Sequence, residues 1–449
     1  MNGPVAQQSK GGIKASVYIR KYNLLKPGSI YAYEELLKNE LLSRDEMESL
    51  HWRKTCRLVK SAMENSSFYQ RFYSGIFPED IKTSDDFAKL PILQRDHLRE
   101  HGHEILCRQA SLARCNEICT GGSTGVPVRV LHPKSIPRAA TLWRMMRWWD
   151  ISLDSDVATI YRETSGSFVK SALDRLIWWP RKRLLLDASH MTSEKVVKWV
   201  EACNRRSPAL LHGYVGGLDF AAQVILEKKI KTWTPRAIWA TAAPLGKIER
   251  QRIESAFGCR VYDQYGCCEV FYLACETPFD TGLAVLHDLR KIEIINERNE
   301  LVPDGAFGKI LVTDLENTDF PLIRYQLGDE GAYYAGGDKT HLPFPRLQPI
   351  AGRISDTLRF PNGVAISGEF WTTLFDDNVS AIRQFQVVQE KDLSLCIRYV
   401  PEQGKNAEIV VRSIVDRVRA QIQNSVSVTV ESADAIPADR GKTRYVVRN

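Results

Sequence analysis

The chain has 449 residues, 44% of them hydrophobic and 26% charged. This ordinary globular balance excludes disorder, collagen and coiled coil as dominant states and leaves room for two to four domains. The net charge of +7 is far from the dense positive stripe of a nucleic-acid binder, so no nucleic-acid partner is expected.

The predicted elements follow in chain order. Helical spacing runs through residues 31–75, with Leu36, Leu37, Leu41 and Leu42 followed by Trp52, Cys56, Val59 and Met63. Pro127 to His132 alternates like a strand. Residues 136–150 read as a helix whose Trp143, Met146 and Trp148 form a core-facing aromatic side. Residues 155–161 read as a strand and 192–206 as a helix capped at Thr192 and Ser193. A short buried strand at 208–211 precedes a turn, HGYVGG, and a helix from Asp219 to Lys229. Strand 236–241, helix 246–257 and strand 259–263 complete an alternation that predicts an α/β layered fold.

After residue 282 short strands dominate, at 283–286, 290–295, 308–313 and 331–334. The last part reads as a small α+β unit, with strands 384–389 and 393–399, a helix 405–422 and a strand 426–430. The expected division is a large multi-layer N-terminal domain, 1–352, with a β-rich subdomain at about 282–350, and a mobile C-terminal domain, 353–449.

Ten cysteines are scattered from Cys56 to Cys396 without a CxxC pair, which suits reduced thiols in a cytoplasm. Neither a signal-peptide core nor an apolar run of ~18 residues is present. The expectation is a cytoplasmic protein without a transmembrane segment, monomeric or homodimeric.

The first chemical signal is the segment Cys119-Thr-Gly-Gly-Ser-Thr-Gly-Val-Pro127 between two predicted strands. Gly121, Gly122 and Gly125 let the backbone approach a ligand, and Thr120, Ser123 and Thr124 add hydroxyls. Successive N–H groups in such a loop make an anion nest. The order is not that of a Walker loop. Four further motifs follow: Tyr265-Gly266-Cys267-Cys268-Glu269; Phe320 to Gly331, holding Arg324 and Asp329; Gly352-Arg353-Ile-Ser-Asp356; and Ala438 to Arg444, holding Lys442. Taken singly, Asp329 starts a turn, Glu269 is a helix-end charge and Lys442 is a solvated tail residue. Taken together and in this order they form a set.

The set resembles the adenylate-forming ligases, the superfamily of acyl-CoA synthetases, nonribosomal adenylation domains and luciferases, from about residue 50 to the end. Within it the chain looks like the phenylacetate-CoA ligase and capsular polysaccharide CapK group. Leu211-His-Gly-Tyr-Val-Gly-Gly-Leu is similar to that group's G-Y-P-S-x-L, and Arg353 to Gly368 is closer to the CapK side.

The resemblance implies the following roles. The loop 120–125 holds the β and γ phosphates of ATP, and Glu269 coordinates Mg²⁺, a hard cation that prefers oxygen ligands. Tyr265 and Gly266 lie at the adenine, which the backbone of Ala242, Ala243 and Pro244 also contacts. Asp329 accepts from the ribose hydroxyls, and Arg353 donates to ribose or phosphate. Arg324 and Lys442 offset charge where the carboxylate meets the α-phosphate. Asp356 is the hinge for rotation of the C-terminal domain. Tyr214, Gly216 and Gly217 belong to the substrate pocket.

The implied activity is AMP-forming ligation of a carboxylic acid to a thiol such as coenzyme A. Alternatives are transfer to an amine in surface-polysaccharide or secondary-metabolite modification, and a degenerate nucleotide-binding protein without turnover. The last alternative rests on two departures: Val126 stands where the family loop has a lysine, and Cys268 where it has a hydroxyl. A structural zinc held by Cys267, Cys268, Cys275 or His287 is not expected, because Ala284 stands at the family's histidine position and the later cysteine pair is missing from 335–351. Residues 170–186, with Trp178, Trp179, Arg181, Lys182 and Arg183, read as a surface loop with an aromatic anchor, able to make weak contact with an anionic membrane surface.

Overall fold

The computed structural model describes residues 13–120, 128–161, 178–188, 191–335, 340–350, 352–353, 358–362, 364–366, 371, 375, 381–402, 406–436 and 445–449. The chain divides into two compact units. One comprises residues 1–154 and 264–349, and the other residues 155–263 and 350–449.

The first unit opens with the helices Ile13–Leu25, Ser29–Asn39, Arg44–Asn65 and Ser67–Phe72. Ser43 starts the longest of them with a reciprocal cap: its hydroxyl accepts from the Glu46 backbone, and the Glu46 carboxylate accepts from the Ser43 backbone. The helix Arg138–Trp148 presents Trp143 to three tyrosines, Tyr18, Tyr22 and Tyr33, with ring centroids 4.8–6.2 Å away. Trp143, Met146 and Trp148 are all buried, as their spacing predicts.

Two antiparallel sheets build the β part of this unit. In one, the strand Val261–Cys267 enters the unit at Gln264 and pairs with Phe271–Glu276, which continues through Leu283–Val285 to Arg346–Leu347. In the other, Arg290–Ile295 pairs with Gly308–Asp314 and that with Tyr325–Gly331. Here the structure corrects the expected strand at 331–334: the strand begins six residues earlier and carries Asp329 itself. A hairpin of Cys115–Thr120 and Val128–Pro133 brackets the glycine-rich segment in antiparallel register, Thr120 opposite Val128.

In the second unit four parallel strands run in the order Arg183–Asp187, Val157–Tyr161, Leu210–Tyr214 and Ala237–Thr241. Helices Ser193–Asn204, Val215–Glu227 and Lys247–Phe257 bury Val196, Val200, Leu218, Ala222, Val224 and Ile253 in one core with the sheet. Parallel strands covered by helices read as continuous apolar runs, and Ala237 to Ala240 does so. HGYVGG is not a turn. His212 to Tyr214 finish a strand and Val215 opens a helix at once. The reason is Gly217, where a Cβ would lie 2.7 Å from Ile160 Cγ2. The glycines here let helix and strand pack closely.

The same unit carries a second sheet, ordered Val428–Ser432, Leu395–Pro401, Ile382–Gln389 and Val446–Arg448. The helix Ala407–Gln421 covers it and buries Val411, Ile414, Val415 and Val418. The Arg252 guanidinium donates to the Arg383 carbonyl at 2.6 Å and to both Asp219 oxygens, tying this layer to the parallel-sheet layer. No described helix is long and apolar enough to cross a membrane.

Candidate active site

Within the first unit the second and third motifs meet. Tyr265, on the strand Val261–Cys267, donates its hydroxyl hydrogen bond to Asp329 Oδ2 at 2.8 Å across 64 residues of chain. Tyr265 is buried while Asp329 is half-buried, so the carboxylate keeps solvent access. Gly266 is required between them: a Cβ there would lie 2.2 Å from the Phe271 carbonyl oxygen.

Glu269 sits in the turn that follows. Its buried carboxylate lies 3.5 Å from the Tyr325 hydroxyl and 3.8 Å from an Arg95 nitrogen. The turn is braced from two sides by residues the motifs do not contain. His132 Nε2 donates to the Cys268 carbonyl at 3.2 Å, and Arg290 donates to the carbonyls of Val270 and Tyr272 at 3.1 Å each. Arg290 is itself held by Asp314 at 2.8 Å and Glu316 at 2.9 Å. Burial holds the His132 ring down to about 3, so it stays neutral. Cys268 is exposed and Cys267 half-buried. The charged residues Arg290, Lys291 and Glu293 on the short strand Arg290–Ile295 were the available signal for this brace.

Arg324 stands just before the strand that carries Asp329. Its guanidinium is buried, with Nε donating to both Glu293 oxygens at 3.1 Å and Nη1 donating to the Leu90 carbonyl. Its backbone has φ +50 and its N–H donates to Thr313 Oγ1 at 2.9 Å. The structure thus pairs Arg324 with Glu293 at the start of the Asp329 strand, as a buried cation requires.

In the second unit Tyr214 ends its strand with its ring centroid 4.3 Å from that of Tyr161. The Tyr161 hydroxyl and His212 Nε2 are hydrogen-bonded at 2.7 Å, and the His212 ring stacks on Trp239 at 3.8 Å. Burial holds His212 down to about 3. These residues occupy the carboxyl ends of three neighbouring parallel strands, the place where open α/β sheets bind ligands. Gly216 is half-buried, and Gly217 faces the Ile160 side of the helix–strand contact. Ala242, Ala243 and Pro244 follow the strand Ala237–Thr241, and Ala242 takes a positive φ of 73. Arg353 lies in the short strand Gly352–Arg353. Gly121, Gly122, Ser123, Thr124, Gly125, Asp356 and Lys442 lie outside the described residues. Trp179 is exposed, and the Arg181 guanidinium stands 4.6 Å over the Trp178 ring.

Residues 358–449 match the CapK C-terminal domain family. Protein CapK of Staphylococcus aureus is 21% identical over 425 residues, 86% of each chain. The phenylacetate-coenzyme A ligase of Pseudomonas putida is 24% identical over 78% of each. A 2-hydroxyisobutyryl-CoA ligase superposes with a TM-score of 0.73 at 20% identity in a postadenylation state with an acyl-AMP, covering 92% of this chain and 91% of that one. The same ligase with acyl-AMP and CoA in its thioesterification state gives 0.60. The chain is thus similar along most of its length to CapK and the phenylacetate-coenzyme A ligases, it shares the fold of the 2-hydroxyisobutyryl-CoA ligase, and its residues 358–449 match the CapK C-terminal domain.

Proposed function

We propose that the protein is an AMP-forming acid ligase that uses ATP to make an acyl-adenylate and passes the acyl group to a thiol such as coenzyme A. The observation that carries this reading is the Tyr265–Asp329 pair, which sets an accessible carboxylate beside a buried aromatic ring on the two motifs the superfamily uses for its nucleotide. Support comes from the ligase relatives and from the solved ligase complexes with acyl-AMP and CoA.

A carboxylate is a poor electrophile. Its oxygen attacks the α-phosphorus of ATP, the bond to pyrophosphate breaks, and the acyl carbon gains a good leaving group. The thiolate then attacks that carbon and AMP departs. Tyr265 packs at the adenine and orients Asp329, whose two oxygens accept from the ribose hydroxyls. The loop 120–125 binds the departing phosphates. Lys442 offsets the charge of the two anions as they meet, a step worth 10²–10³ in rate for a single well-placed donor. Arg353 donates to ribose or phosphate, and Asp356 serves as the hinge that withdraws Lys442 before the second step.

Glu269 fits Mg²⁺, since it offers a hard oxygen donor on a braced turn, and this ion keeps several waters and phosphate oxygens as its other ligands. Mg²⁺ would supply charge neutralisation at the phosphates. The Tyr161–Tyr214 pair and His212 make a neutral, aromatic wall that suits an aromatic or short acyl acid.

The test is pyrophosphate release with a panel of carboxylic acids, followed by AMP release on adding coenzyme A or amines. One acid turning over, with acyl transfer to coenzyme A, supports the reading. Turnover with amines alone moves the assignment to an amide ligase, and no release with any acid overturns it. Lys442→Ala should lower adenylation about 10²–10³-fold and leave ATP binding intact.

A further inference from the structure

A cluster remote in sequence from the ligase motifs joins the long N-terminal helix to the β part of the first unit. Glu48 and His51 stand one turn apart on the helix Arg44–Asn65, on one face. His287 lies in the connection between the strands Leu283–Val285 and Arg290–Ile295. The two imidazoles are buried, 3% and 7% exposed, and stack at 3.8 Å with their planes 17° apart. His287 Nε2 is 2.9 Å from Glu48 Oε1.

Each ring has one nitrogen satisfied and one left over. The His51 ring hydrogen-bonds the Arg290 backbone. Arg290's own N–H is already donated to the Leu286 carbonyl, so its carbonyl is the acceptor. His51 Nδ1–H therefore makes that bond, because Nε2 is buried without a protein partner. His287 Nδ1 is buried without one as well. An unsatisfied buried nitrogen is costly, and two in stacked rings beside a carboxylate call for a shared partner. A ring whose N–H is fixed on a backbone carbonyl and whose lone pair is left open is the usual state of a metal-binding histidine. Among the described residues these three form the only group of potential ligands in which one atom from each lies within 4.8 Å of the others. Tetrahedral Zn²⁺ sets its ligands about 3.3 Å apart, so the two stacked rings must turn out of parallel to serve one ion.

We propose that Glu48, His51 and His287 form a site for a divalent cation of the zinc class that staples the N-terminal helix to the β sheet. His51 supplies Nε2, His287 a ring nitrogen and Glu48 a carboxylate oxygen. The exposed Glu48 side, 64% accessible, leaves a path for the ion and a place for water as the fourth ligand. Binding exchanges the stack for two nitrogen–metal bonds: the rings turn out of parallel until their lone pairs converge. The surrounding charges allow this. Asp288 is engaged by Arg144 and Asn39, the Lys54 ammonium donates to the Asp288 carbonyl, and Lys291, which acts on His51 and Glu48, is offset by Glu293. This donor set differs from the cysteine-based one considered from the sequence and shares only His287 with it.

The test uses the full chain stripped with a chelator and titrated with Co²⁺, reading its visible absorption, with thermal unfolding followed in Zn²⁺ and in EDTA. The expected result is a single Co²⁺ bound with nitrogen and oxygen ligands, and a higher Tm in Zn²⁺. Glu48→Gln and His51→Gln should each weaken Co²⁺ binding roughly tenfold or more and abolish the Zn²⁺ effect on Tm. Glu48→Gln, at an exposed position, guards against misfolding of the buried variant. No Co²⁺ signal, binding unchanged in both variants, or a thiolate charge-transfer band lost with Cys267→Ser would each overturn the proposal.

Discussion

The first unit holds its candidate nucleotide residues with buried charges. Arg324 is locked on Glu293, and Arg290 on Asp314 and Glu316, while the same guanidinium of Arg290 grips the turn that carries Glu269. The second unit holds its candidate acid pocket with neutral groups: Tyr161, His212, Tyr214 and Trp239 are linked by one hydrogen bond and by ring contacts. The difference follows from the ligands each half is proposed to meet. A triphosphate and its cation demand fixed charges whose position does not drift, and buried ion pairs with excellent geometry supply that rigidity. An uncharged acyl group demands a desolvated, adaptable wall.

Four substitutions probe this contrast, in decreasing order of effect. Removing one partner of a buried pair leaves the other charge uncompensated, so Arg324→Ala should lower stability by about 3–5 kcal/mol. Urea unfolding checks this, and a loss under 1 kcal/mol would put Arg324 back among the solvent-facing residues. Gly266→Ala forces a Cβ onto the Phe271 carbonyl, so a cost of about 1–3 kcal/mol is expected, together with a raised KM for ATP in a pyrophosphate-release assay. Tyr265→Phe removes the hydroxyl that donates to Asp329. The expected loss is about 1 kcal/mol, roughly fivefold in kcat/KM for ATP, with Tm nearly unchanged. Tyr161→Phe should alter kcat/KM for the acid by a similar or smaller factor and leave ATP kinetics alone. An effect on ATP instead would erase the division of labour between the two units.

Acid offers a further check that treats both units alike. His132 and His212 are both held near 3, well below the ordinary value of about 6.5. Between those values the unfolded chain binds more protons than the native one, so stability falls as pH is lowered from about 6.5 toward 3. Each ring contributes at most about 1.4 kcal/mol per pH unit. His212→Gln should flatten that slope. An unchanged slope would show that other groups carry the acid sensitivity.

Much of this was legible in the residues. The helix Ser193–Asn204 was readable from its Thr192 cap, and the core side of Arg138–Trp148 from its tryptophans, because caps and periodicity are local. The strand Phe271–Glu276 was not readable. Its own first residue, Phe271, has φ +67 and leaves a turn braced by Arg290, whose hold on the Tyr272 carbonyl spans 18 residues. HGYVGG was misread as a turn because glycine signals flexibility in sequence and close packing in the fold.

The amino-acid sequence by itself determined the element types, the order of the five motifs and hence the chemistry they resemble, because these depend on residue identity and short-range spacing. Tertiary structure alone decided which side chain meets which. It joined Tyr265 to Asp329, set Arg324 onto Glu293, and laid His287 on His51. Pairing across dozens or hundreds of residues is set by sheet register and by the need of every buried charge for a partner, and neither is written in any local stretch of the chain.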